Sequence, residues 1–402
     1  MAVTTKPRLS RLVRNMAESE TLKMAQMARD LRAKGHEVIS LAIGEPDFDT
    51  PKAIKEVAVK ALMDGFTKYT PVPGIPDLTQ AVSDKFKRDN DLSYAPNQIV
   101  VSNGAKQSIA NVAMALLDEG DECIVFAPYW VSYAEIIKMT GAVPVYVKAG
   151  VEQDFKVTAA QVKAAITPKT RMVLFSSPCN PSGSVFSKKE LTEIANVLAK
   201  YEDIYIVSDE IYEYINFGEK HFSIGSLPQV KDRTITVNGF AKGFSMTGWR
   251  LGYMGAPKFI ADACTKIQGQ ITSGANSFSQ KAAVFALKSD LTESFKMRDA
   301  FLKRRNMMIE LLSDIPGFKV NHPEGAFYMF PNISAFFGKS DGKIVIKNAD
   351  DLADYIMMNA YVALVSGTAF GDSACIRISY AASDEQLREA VRRIKEVCAK
   401  LK

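Results

Sequence analysis

The sequence predicts an α/β fold: a three-layer αβα large domain built on a mostly parallel seven-stranded sheet, with a smaller α+β domain. Three observations predict it. Apolar, β-prone runs recur through the middle of the chain: IVVSN (99–103), ECIVFAP (122–128), VPVYVK (143–148), RMVLFSS (171–177), IYIVSDE (204–210), RTITVNG (233–239) and LGYMGA (251–256). Helical patterns at 106–117, 131–140, 159–165 and 188–200 separate most of them. Continuously apolar runs suit strands buried on both faces, and their alternation with helices suits a layered sheet. After about residue 257 the character changes to a long charged helix over 290–314, short strands in GFKV, GAFYMF, VALVSG and IRISY, and helices near 350–359 and 384–400. Residues 1–50 precede the alternating core and are expected to join the small domain. The large domain is expected over 51–290 and the small one over 291–402.

The N-terminal elements follow from punctuation. Residues 19–34 read as a helix that Ser19 or Thr21 could cap and Gly35 ends. The apolar run VISLAIG comes next, then the loop EPDFDTP, where Gly44, Pro46 and Pro51 break regular structure. A helix over 52–64 closes at Gly65. The aromatic, proline-rich loop FTKYTPVPGIPDL follows, of a kind found at sites and interfaces. A helix over 76–90 leads into the alternating core.

Composition narrows the function classes. Of 402 residues, 47% are hydrophobic and 24% charged, enough apolar material for a large core. The net charge of +5 is mild and no long basic run occurs, so nucleic-acid or membrane-surface binding has little support. Five cysteines without CxxC spacing suggest reduced thiols and a cytoplasmic protein, and three unpaired histidines argue against a metal site. No apolar run reaches about 18 residues, the length of a membrane span. The N-terminus lacks the apolar core of a signal peptide.

Chemistry concentrates where strands end. In VNGFAKGFSMTGWRLGY (237–253), Lys242 has no charged neighbour within five residues. It is either a surface-loop lysine or an amine with a lowered pKa, able to attack a carbonyl and form a Schiff base. Asn103-Gly104-Ala105-Lys106 closes a strand and opens a helix, either an ordinary turn or an anion cradle suited to phosphate. Asp209 ends a buried strand and needs a partner, which could be a lysine or arginine or a protonated ring nitrogen. Tyr212, three residues on, could reach the same ligand. Asn180 stands in the rigid turn SPCNP. Trp130 is either core or a platform for a flat ring. Together with Arg250, these groups form the inventory for pyridoxal 5'-phosphate.

At these residues the chain resembles the class I aminotransferases of pyridoxal-phosphate fold type I, especially the bacterial aspartate aminotransferases. The matching pieces are GEPDFDTP, TKYTPVPGIPDL, NGAKQ, PYWVSY, SSPCNPSG, VSDEIYE, NGFAKGFSMTGWRLGY, GAFY and IRISYA, spanning residue 21 to about 385. The resemblance implies that Lys242 bonds the cofactor and shuttles a proton between the substrate Cα and the cofactor's C4′. Asp209 would keep the ring nitrogen protonated, Tyr212 and Asn180 would bond the ring's phenolic oxygen, and Trp130 would stack on the ring. The Ala105 and Lys106 N–H groups and Arg250 would bind phosphate. Gly44 and Arg377 would take the substrate α-carboxylate, with Trp130 and Asn180 beside it. Tyr69 would reach the phosphate of a neighbouring subunit, which implies a homodimer with shared sites. The family often carries a hydroxyl residue three before the lysine; here that place is Gly239. One branch supplies a cation for the distal carboxylate of dicarboxylic substrates from within 267–282, but no arginine occurs there. The nearest branch uses the equivalents of Lys106 and Thr21. The expected reaction is ping-pong transfer of an amino group between aspartate or glutamate and 2-oxoglutarate or oxaloacetate. Broader, aromatic, alanine or prephenate specificity, or a lyase or cyclopropane-forming synthase on the same fold, are the rivals. A DNA-binding regulator would need an N-terminal module, and only about 20 residues precede the match. Relatives that aminate prephenate carry a lysine-proline-serine lead-in, replaced here by Met16-Ala17-Glu18-Ser19, which places that activity lower.

Overall fold

All seven apolar runs form strands of one sheet. The computed structural model describes residues 8–17 and 20–402. In chain order the strands are β1 (Ile39–Ser40), β2 (Ile99–Ser102), β3 (Glu122–Ala127), β4 (Val143–Lys148), β5 (Thr170–Ser176), β6 (Tyr205–Asp209), β7 (Thr234–Gly239), β8 (Gly252–Gly255), β9 (Tyr328–Met329), β10 (Val362–Ala363), β11 (Val365–Ser366) and β12 (Ile376–Ser379). The large sheet has the order β2-β8-β7-β6-β5-β3-β4. Its strands β3 to β7 pair in parallel, and β8 alone runs against its two neighbours. β7 is buried along its whole length, as its apolar run requires. β4 is one of the two edge strands, half open to solvent, and accommodates Pro144 there.

The direction of the strands positions the site. β2, β3, β5, β6 and β7 all end on one edge of the sheet, where open α/β sheets bind ligands. Because β8 returns antiparallel beside β7, residues 240–251 make a short link that carries Lys242 and Arg250 back over that edge.

A three-stranded antiparallel sheet, β11-β12-β9, lies in the C-terminal part. There β1 pairs in parallel with β10, Ile39 opposite Val362. Ile39 and Leu41 pack in one core with Phe301, Tyr328, Ile356 and Ile378. The N-terminal apolar run thus joins the C-terminal sheet elements.

Some elements differ from expectation. GFKV is not a strand; only Lys319 makes a bridge, to Asn332. VALVSG breaks at Leu364 into two short strands. Thr21 lies within the helix Glu20–Ala33 and does not cap it, and Ser19 is outside the described residues. Two helices, Lys258–Ile271 and Ser277–Lys288, lie where no element is expected from the sequence. Their burial is partly by hydrogen bonding. Gln268 Nε2 donates to the carbonyls of Val72 (2.9 Å) and Val101 (2.8 Å), and Gln280 Oε1 accepts from the Ile75 N–H (2.8 Å). Buried polar groups with full partners look like surface residues in a sequence.

Candidate active site

One cavity of about 330 Å³ opens at the C-terminal edge of the sheet. Thr21, Gly44, Ala105, Lys106, Trp130, Asn180, Asp209, Tyr212, Lys242, Arg250 and Arg377 all line it. Tyr69 does not. It is 99% exposed and borders a separate surface pocket with Gly274 and Ser277.

Asp209 is the last residue of β6 and is buried. Its carboxylate accepts from the Tyr133 hydroxyl (2.6 Å) and from the Ile211 N–H (3.2 Å). Among the described residues it has no salt bridge. Burial raises its pKa to about 6, against the lowering effect of the Tyr133 bond. An ionised acid held in a cavity by neutral donors leaves room for a cationic ligand group.

Lys242 lies three residues beyond β7 and donates to the Gly44 carbonyl. Its ammonium sits 5.8 Å from the Tyr212 ring centre and 5.9 Å from that of Phe327. Burial lowers its pKa to about 8, partly opposed by Glu45 and reinforced by Arg377 and Arg250. It is a cavity amine, not a surface-loop lysine.

Gly104 precedes the helix Ala105–Leu116 with φ +85°, a region costly for other residues. A Cβ there would strike the Arg250 guanidinium. Gly252 of β8 is likewise needed, because a Cβ would strike the backbone at Gly104 and Ala105. These two glycines let the helix start, with its free first-turn N–H groups, meet Arg250 closely. Arg250 donates to the carbonyls of Thr247 (2.9 Å) and Asn103 (3.2 Å) and bonds no carboxylate among the described residues. Gly239 has no space for a hydroxyl side chain: an added Cβ would lie 2.9 Å from the Gly252 Cα.

Arg377, on β12, is only 2% exposed. Its guanidinium lies between the rings of Tyr328 and Phe370, 4.8 Å from each centre. It donates to Asn180 Oδ1 (3.0 Å) and to the Ala42 carbonyl, while its Nε is buried without a partner. No carboxylate neutralises it among the described residues. Lys106 places its ammonium 5.0 Å from the Trp130 ring centre. Burial and Arg250 lower its pKa.

Two cavity residues escape the sequence argument. Tyr133, which bonds Asp209, stands one turn after Trp130 within PYWVSY. Tyr328, in GAFY, bonds Tyr212 through their hydroxyls at 2.6 Å. Nothing in the local spacing marks either tyrosine as more than core; both signals are long-range.

The donor set fits pyridoxal phosphate. The cavity combines a low-pKa amine, a buried acid without a cation, a helix start with an arginine, and a second buried arginine without an anion.

Comparison with known proteins agrees. The family described as aminotransferase class I and II matches residues 36–394. A Petunia hybrida protein named bifunctional aspartate aminotransferase and glutamate/aspartate-prephenate aminotransferase is 45% identical, over 98% of this chain and 83% of its own length. The aspartate/prephenate aminotransferase of Nitrosomonas europaea is 43% identical, over 96% and 98%. The crystal structure of the aspartate aminotransferase from Rhizobium meliloti superposes with a TM-score of 0.96 at 39% identity, covering 99% of this chain and all of that one (100%). The chain belongs to the class I and II aminotransferases.

Proposed function

We propose that this chain is a pyridoxal-phosphate-dependent aspartate aminotransferase, exchanging an amino group between aspartate or glutamate and 2-oxoglutarate or oxaloacetate. The observation that carries this reading is Arg377: a buried guanidinium, without a carboxylate among the described residues, in the same cavity as Lys242 and Asp209. When bound, pyridoxal phosphate supplies an aldehyde for an amine and a ring that accepts the electron pair left at Cα.

The chain's own residues then have defined tasks. Lys242 Nζ would hold the cofactor and, as a neutral amine, would move the proton from the substrate Cα to the cofactor's C4′. Asp209 would face the ring nitrogen and keep a proton there, Tyr212 and Asn180 would bond the ring's phenolic oxygen, and Trp130 would cover the ring. The Ala105 and Lys106 N–H groups and Arg250 hold the phosphate. Arg377, with Gly44 beside it, orients the α-carboxylate as a two-pronged donor. Lys106 and Thr21, which line the same cavity, would receive the distal carboxylate.

A half-reaction panel tests the assignment. The holoenzyme is mixed with each amino acid and loss of the bound cofactor's visible colour is followed. Aspartate and glutamate should react best. Lys106→Ala should weaken reaction with aspartate by about 1.5–3 kcal/mol, the scale of a hydrogen bond to a charged group, and leave alanine nearly unchanged. Equal losses on both donors would assign Lys106 to the phosphate and remove its part in specificity. Relatives whose names include prephenate support a second reading, amination of prephenate, and prephenate as acceptor belongs in the same panel.

The proposal includes a homodimer with shared sites. Tyr69 is fully exposed outside its own cavity, and Val59, Leu62 and Met63 are exposed apolar residues of the helix Lys52–Met63, a pattern that suits an interface. The division near residues 51 and 291 draws support from one core that gathers Ile39, Leu41 and residues from Met297 to Leu401, although Tyr212 and Ile215 also pack into it. Five free cysteines, all buried, support a reducing compartment such as the cytoplasm.

A further inference from the structure

The Tyr212–Tyr328 pair has a proton-counting consequence that goes beyond the reading above and rests on it. Each phenol has one proton to donate and two lone pairs to accept. The two oxygens are 2.6 Å apart and both rings are buried. If Tyr212 gives its proton to the cofactor's phenolic oxygen, it cannot also donate to Tyr328. The bond must then run from Tyr328 to Tyr212.

We propose that Tyr328 is a positioning residue: its hydroxyl donates to Tyr212 and thereby fixes and strengthens the proton that Tyr212 presents to the cofactor.

The surroundings favour this direction. The Arg377 guanidinium carbon lies 4.8 Å from the Tyr328 ring centre, and a positive charge there makes the phenol a better donor. Burial pushes the Tyr328 phenol up, while the Arg377 charge pulls it back. Gly44 leaves space for the Tyr328 hydroxyl, since a Cβ at residue 44 would collide with it. Tyr328 also stands on β9 opposite Ser379, so its strand neighbour carries Arg377 two residues earlier. The same tyrosine therefore touches the residue that takes the α-carboxylate and the residue that bonds the ring. Donation along a chain of hydroxyls strengthens the final bond.

The test is a pH titration of the bound cofactor's visible absorption in holoenzyme, for wild type, Tyr328→Phe, Tyr212→Phe and the double variant. Tyr328→Phe removes one oxygen and keeps the ring that packs under Arg377. Its midpoint should move in the same direction as that of Tyr212→Phe but less, by about 0.3–0.7 pH unit. The double variant should move no further than Tyr212→Phe alone, because the second hydroxyl acts only through the first. A merely structural role would change cofactor retention or melting temperature without this dependence. A shift in Tyr212→Phe with none in Tyr328→Phe, or additive shifts in the double variant, would overturn the relay alone. No shift in either single variant would overturn the relay together with the placement of the cofactor beside Tyr212.

Discussion

Lys242 shows how one residue's environment sets a rate. An ordinary lysine amine is protonated to about pH 10.5, but burial brings this one to about 8. The attacking species is the neutral amine. Capture of pyridoxal phosphate by the apoenzyme should therefore accelerate as pH rises from 6 and level off just above 8, seen by stopped-flow absorbance. A profile still climbing steeply at pH 10 would contradict the lowered pKa. Lys242→Ala should lose a hundredfold or more in turnover, about the combined scale of base and nucleophile, and borohydride should no longer fix the cofactor on the peptide that holds residue 242. This residue was legible in the sequence because its neighbours are uncharged and either small or apolar. Tyr133 and Tyr328 were not, because their partners, Asp209 and Tyr212, are 76 and 116 residues away.

The element that carries Asp209 and Tyr212 is β6 with the turn after it, and a buried ionic cluster fastens that turn to the helix Pro76–Asn90. Lys85, with no exposed surface, pairs with Glu213 and donates to Asn90 Oδ1 (2.6 Å). The Asn90 amide donates to Glu213 (2.7 Å) and Glu210 (3.3 Å), and Ser223 (2.6 Å) and His221 (2.9 Å) also contact Glu210. Glu210, Glu213 and His221 lie within 4.8 Å of one another, close enough for a metal, but the Lys85 ammonium already supplies the counter-charge. Lys85→Met should destabilise the protein by about 3–5 kcal/mol in urea melts, because it leaves buried carboxylates without their cation. Adding Glu213→Leu should restore part of that loss. A single variant as stable as wild type would show that the cluster does not hold the turn. The sequence placed both elements well but gave no sign of the cluster: a lysine in a charged helix reads as solvated. The same limit hid the buried roles of Gln268 and Gln280 in the helices Lys258–Ile271 and Ser277–Lys288, since glutamines read as surface. The seven sheet strands were plain for the opposite reason, since two-sided burial writes an unbroken apolar run.

At the scale of the whole molecule, the exposed Tyr69 and the exposed apolar side chains of the helix Lys52–Met63 predict a dimer. Sedimentation should give twice the chain mass, with activity falling as dilution produces monomer; a fully active monomer would end the shared-site reading. Tyr69→Phe should weaken cofactor retention by about 0.5–1.5 kcal/mol, the range of a single hydrogen bond, measured by equilibrium dialysis. The pairing of β1 with β10 adds a matter of timing. Ile39 leaves the ribosome roughly 300 residues ahead of Val362, its partner. At about 5–20 residues per second the nascent strand waits on the order of 15–60 s for its mate. During that wait Gly44, which follows β1 and receives the Lys242 ammonium, has no fixed place. The large sheet can assemble as its strands emerge, but a complete catalytic cavity can exist only after synthesis is nearly over. Newborn chains should therefore gain protease resistance in the β2–β8 region well before they can hold the cofactor.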